Sequence, residues 1–112
     1  MELTPFQIDI LRALLRTRMD HDGQFVTQND LAALAGHPGK EKKLGGAMED
    51  LATWCREHGL PDLTAVVIPQ ENADENLMLP DEATIERLGG RAVAQAEAAR
   101  VRDFDWAGWR DS

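Results

Sequence analysis

Apolar residues recur at helical spacing from the start of the chain. Phe6, Ile10, Leu11, Leu14 and Leu15 mark one face of a helix over about residues 5–18. Thr4 and Gln7 have the spacing of a capping box, and Pro5 suits a first helical position. "DHDG" (20–23) carries turn chemistry, with Gly23 able to take a positive φ, and Gln24-Phe25-Val26 reads as a short strand. Thr27 and Asp30 repeat the cap spacing ahead of a second helix that stops at Gly36, and His37-Pro38-Gly39 forms a turn. A third helix follows and ends at Gly59, with Pro61 barring its continuation. "LTAVVI" (63–68) is a β-rich run, "PQENADEN" (69–76) a polar loop, and Leu77-Met78-Leu79 a return strand. Pro80-Asp81 opens a short helix to about Leu88, Gly89-Gly90 break it, and the alanine-rich "RAVAQAEAARVR" is helix-prone.

Helix, short strand, helix, helix, strand, loop, strand is the order of a winged helix-turn-helix domain. The expected fold is therefore mainly α with a small β-sheet (α+β), a winged helix-turn-helix with extra C-terminal helices. Residues 1–80 form its core in this reading. Residues 81–112, C-terminal helices with an aromatic tail, pack on that core or on a second copy of the chain, because their alanines supply little burial of their own.

Charge changes the functional picture. The formal net charge is −8. Residues 1–60 hold nine acidic and seven basic side chains, a net −2; residues 61–112 hold eleven and five, a net −6. Non-specific DNA affinity comes from cations that displace counterions from phosphates, so this balance argues against a general DNA coater. The lone cysteine, Cys55, cannot form an internal disulfide, and "MELTPFQ" lacks the basic start of a signal peptide. No apolar run approaches the ~20 residues that span a bilayer. Together these features point to a cytoplasmic protein with no membrane role.

The outer face of the third helix decides between reading DNA and meeting a protein. Turning 100° per residue, Leu44, Met48, Leu51 and Cys55 form a core stripe. The opposite face carries Lys42, Gly46, Glu49, Thr53 and Glu57, with Asp50 and Arg56 at its borders. Major-groove readers present Arg, Lys, Asn and Gln there. Three carboxylates against a phosphate-lined groove cost more than one contact to cytosine returns. At the helix start, Lys40, Lys42 and Lys43 cluster near Gln28 and Asn29. They either grip phosphates without reading sequence or form an ordinary solvated turn. Arg12, Arg16 and Arg18 are expected on the solvent side of the first helix. Gly45-Gly46 mark either a helix start near Gly46 or a close approach of another backbone.

"LGGAMEDLATWCREHGLPDLTAVVIP" together with "RVRDFDW" resembles a group of small bacterial and phage winged-helix-like proteins. Their pattern is a Leu-Gly helix, a cysteine, Gly-Leu-Pro-x-Leu-Thr-x-x-Val-Val and a late Phe-Asp-Trp. Leu44, Gly45, Cys55, Gly59, Leu60, Pro61, Leu63, Thr64, Val66, Val67, Phe104, Asp105 and Trp106 match it. Relatives carry a Thr-Gly-x-Pro loop where this chain has "QENADEN". The resemblance implies a cytoplasmic bacterial or phage protein, encoded near mobile elements or defence genes, and implies no catalytic activity.

Other chemistry is thin. Cys55 and His58 share a helix face, but no second pair has ligand spacing, so a buried structural thiol is the better reading and no metal is expected. Asp20-His21-Asp22 lacks a placed nucleophile. Asn72-x-Asp74-x-Asn76 lacks the glycine and the glutamate of a calcium loop, and "GHPGK" lacks the spacing of a phosphate-binding loop. Neither enzyme nor cofactor is expected. Phe104, Trp106 and Trp109 form either a lid on the core or an exposed acidic-aromatic anchor.

The expectation is a non-catalytic acidic protein-interaction module of a phage or mobile element. Its most concrete form is an anti-CRISPR-type inhibitor of a nucleic-acid-binding host defence complex. Its contact residues are Glu49, Asp50, Thr53, Glu57, Asp74, Glu75, Trp106 and Trp109. The alternative is a DNA-binding winged-helix regulator, a homodimer through the first or the C-terminal helices, using Gln28, Asn29, Lys40, Lys42 and Lys43.

Overall fold

A computed structural model describes residues 2–20 and 25–111. Helix α1 spans Pro5–Asp20, β1 Val26–Thr27, α2 Gln28–Leu34 and α3 Leu44–Glu57. Strand β2 is Val67–Ile68, followed by α4 (Gln70–Asp74), α5 (Glu82–Leu88), α6 (Arg91–Asp103) and α7 (Trp106–Asp111). The fold is mainly helical with one small two-stranded sheet among the described residues. Residues 21–23 of the expected "DHDG" turn, and Gln24, lie outside the described residues.

Helix ends follow the local chemistry. The Thr4 backbone N–H donates to Gln7 Oε1 (2.9 Å) and the Gln7 N–H to Thr4 Oγ1 (3.2 Å), a reciprocal capping box. Thr27 Oγ1 accepts the Asp30 N–H to start α2. The end of α3 is a Schellman turn. Gly59 takes φ +67°, its N–H reaches the Arg56 carbonyl, and the Leu60 N–H reaches Cys55 O at 2.9 Å.

The main core gathers Ile10 and Leu14 of α1, Leu31 of α2, Leu44, Leu51 and Cys55 of α3, Leu63 and Val66, and Val101 of α6. Leu44, Met48, Leu51 and Cys55 point inward together, as their spacing requires. Leu79, Ile85 and Ala94 form a smaller satellite cluster. Arg12 and Arg16 are exposed, but Arg18 is buried, contrary to expectation. Position 18 falls seven residues after Leu11 and four after Leu14, squarely on the core stripe. Its Nε and a terminal nitrogen donate to Thr17 Oγ1, and burial lowers its pKa.

The hairpin expected for a wing is replaced. Leu63–Val66 is a 3-10 turn, and only Val67–Ile68 is extended. Asp62 starts that turn by accepting the Thr64 N–H, a local bond that outcompetes extension. β2 pairs parallel with β1, Val26 opposite Val67 and Thr27 opposite Ile68, so its partner is the strand before α2. The polar loop is helix α4. It ends at Asn76 in a left-handed conformation (φ 57°), with Leu77 N–H bonding Asn72 O at 2.7 Å. Asparagine tolerates that conformation, so the turn closes without glycine. Asn72 Nδ2 then donates to the Leu79 carbonyl at 2.8 Å, tying down the segment expected to return as a strand.

Candidate functional site

α3 presents two different surfaces. On its outer face Gly45, Gly46, Glu49 and Glu57 are exposed, and Asp50 and Thr53 are half-buried. Asp50 accepts from Gln7 Nε2 at 2.6 Å, so the N-terminus of α1 borders this face. Thr53 donates to the Glu49 carbonyl at 3.1 Å. The two glycines meet nothing within 4 Å of where a Cβ would lie. Neither a close backbone approach nor a helix start at Gly46 explains them, because α3 begins at Leu44 out of a 3-10 turn over Glu41–Lys43.

Asp74 and Glu75 are also exposed, at the end of α4. Gln70 Nε2 donates to Asp74. Asp74 and the C-cap residue Glu75 belong to a different helix from the α3 carboxylates. The aromatic part of the set is corrected. Trp106 is 4% exposed and its indole N–H donates to Val101 O at 2.8 Å, which makes it core. Trp109 is half-buried, edge-on to both Trp54 and Trp106, and Phe104 lies against Trp106. A half-apolar tail this close to the core closes it, so Trp106 cannot anchor a partner.

The basic set is partly dispersed. Lys40, Lys42 and Lys43 are exposed ahead of α3, and Asn29 is exposed on α2. Gln28 is half-buried and donates to Asp81 Oδ2 at 3.4 Å. Three cations at a helix N-terminus oppose the helix dipole, so they do not stabilise α3.

The inner end of α3 borders a feature that the sequence reading missed. A cleft of about 450 Å³ is lined by Arg56, Arg87 and Arg100, by Asp62 and Glu97, and by the apolar Leu60, Leu88 and Val93. Asp62 Oδ1 accepts the Thr64 N–H (2.9 Å) and the Thr64 hydroxyl, while its Oδ2 accepts from Arg87 at 3.2 Å. Arg87 also donates to Thr64 Oγ1 at 3.1 Å. Glu97 accepts the Asp62 N–H at 2.7 Å and Arg100 at 2.7 Å. Only the cap spacing of Asp62 and Thr64 hints at this in the sequence; the arginines come from three separate helices.

Cys55 lies in the core, with its thiol pushed up to about 11 by burial, and further by the charges of Asp62 and Glu97, against a lowering backbone bond at Leu63. His58 is exposed and stacks on Trp54, its Nδ1 2.8 Å from the Trp54 carbonyl, so the two are not a ligand pair. Among the described residues no helix is long and apolar enough to cross a membrane. Comparison with known proteins finds no matching family model, no similar curated protein and no similar solved structure.

Proposed function

We propose that this protein is a non-catalytic interaction module of phage or mobile-element origin that docks its acidic α3 face on a basic protein surface. The observation that carries the reading is the outward projection of Glu49 and Glu57 from a helix anchored by a fully apolar inner stripe. A helix so anchored presents its carboxylates from a fixed backbone, and complementary charge steers it onto cationic grooves. A nucleic-acid channel of a host defence complex, the anti-CRISPR type of target, has that character. Glu49, Asp50, Thr53 and Glu57 form the primary contact, Asp74 and Glu75 a second patch, and Trp109 a flank.

The test is capture of a nuclease-treated host defence complex by wild type and by Glu49→Lys/Glu57→Lys. Both substituted positions are exposed, and a far-ultraviolet spectrum that matches wild type shows the variant to be folded. Capture should disappear in the double variant and weaken with salt, and nucleic acid should compete. Undiminished capture by the variant refutes the acidic face as the contact.

A second reading, a helical DNA-binding regulator working as a homodimer, is favoured by one observation. Lys40, Lys42 and Lys43 are exposed and have no ion-pair partner among the described residues, at a helix end where they cost stability. Gel shifts at low salt should then weaken for Lys42→Ala/Lys43→Ala. Absence of any shift ends that reading.

A further inference from the structure

The cleft beside the α3 terminus has a charge pattern opposite to that of the molecule. Its lining carries three guanidinium groups and two carboxylates, a surplus of one positive charge within a chain of net −8. The carboxylates are committed. Asp62 is held by Thr64 and Arg87, and Glu97 by the Asp62 backbone and Arg100. They neutralise two arginines and fix their planes. The Arg56 side chain has no hydrogen-bond or ion-pair partner among the described residues, so its fork is open. Leu88 and Val93 provide an apolar wall, with Val93 47% exposed, over a floor of buried Leu60 and Ala52. The volume, about 450 Å³, is in the range that small-ligand sites occupy.

We propose that this cleft binds a carboxylate that bears an apolar group, with Arg56 clamping the carboxylate and Leu88 and Val93 covering the apolar part. A guanidinium fork matches the two oxygens of a carboxylate, and one surplus charge matches a monoanion better than a dianion. Two sources share this chemistry, a free carboxylic acid and the chain end of a peptide. The site is independent of the acidic-face reading, and either can fail alone.

The experiment is an amide-resolved NMR titration of the full chain with octanoate, with a short peptide ending in Leu as the free acid, and with the same peptide as its C-terminal amide. The acids should shift the amides of Gly59, Leu60 and Val93, and the amide peptide should not. Arg56→Gln, at an exposed position, should weaken acid binding about tenfold or more, the loss expected for one charge-assisted contact. Val93→Ser should weaken it less. Response to octanoate alone identifies a free acid, and response to the peptide acid alone identifies a chain end. No shift with either acid, equal binding of the amide, equal binding of inorganic phosphate, or unchanged binding by Arg56→Gln each overturns the proposal.

Discussion

Replacing Asp62 by alanine should be among the most damaging single changes near the surface of this protein. The side chain is 15% exposed and accepts three bonds: the Thr64 N–H, the Thr64 hydroxyl and Arg87. Losing the cap costs about 1 kcal/mol. Losing the charged bond to Arg87 costs about 1.5–3 kcal/mol. The Thr64 hydroxyl, in a residue 1% exposed, loses the acceptor for its proton and adds about 1 kcal/mol or more. Arg87 still donates to Thr64, and bonds in one network do not add, so the expected total is ~3 kcal/mol. For a chain of this length ~1 kcal/mol moves Tm by roughly 4 °C, so Asp62→Ala should lower Tm by about 12 °C. Asp62→Asn keeps the Oδ1 acceptor for both Thr64 groups but puts an NH2 where Oδ2 accepted from Arg87, which should cost about 1.5–2 kcal/mol, roughly 6–8 °C. Denaturant unfolding of both variants and of Arg87→Met, alone and combined with Asp62→Asn, measures the coupling directly. If alanine and asparagine cost the same, or if Asp62→Ala moves Tm by less than about 3 °C, the network does not hold the 3-10 turn in place.

Gly45→Ala and Gly46→Ala should each stabilise the protein by roughly 0.5–1 kcal/mol, read as a rise in denaturation midpoint, since both positions are helical with open space at the Cβ. Loss of partner capture alongside that gain would identify the bare backbone as part of the contact. Cys55 should resist thiol–disulfide exchange with a chromogenic disulfide in the native protein near neutral pH and release its coloured thiolate once unfolded. Its folded-state pKa is raised to about 11, so the stability linked to it is present below the unfolded thiol value and is lost as pH climbs toward 11. The loss should be ~2–3 kcal/mol in denaturant melts and absent in Cys55→Ala. Trp106→Phe keeps an aromatic ring, though a smaller one, but strands the Val101 carbonyl, and should cost at least about 1–3 kcal/mol by thermal melting.

Wherever neighbours in sequence settle a geometry, the sequence was sufficient. The Thr4–Gln7 box, the Thr27 cap, the Gly59 terminus with Pro61, and the Gly89-Gly90 break all form where their spacing places them. The inner stripe of α3 follows from 100° per residue, and so does the exposure of Glu49 and Glu57. These are interactions within one turn, for which the rest of the chain is a bystander.

Tertiary contacts decided the remainder. "LTAVVI" has strand composition, but a strand needs a partner edge, and its backbone met only the two-residue β1 while Asp62 capped its start. Leu77–Leu79 lost its place in a hairpin to the Asn72 side chain. Arg18 was drawn inward because its apolar stem sits on the core stripe, whatever its charge prefers. The arginine cleft draws on residues from α3, α5, α6 and the segment between, its arginines lying up to 44 positions apart, from Arg56 to Arg100. Local spacing encodes angles about one helix axis, and only the packing of several axes brings such charges to one place.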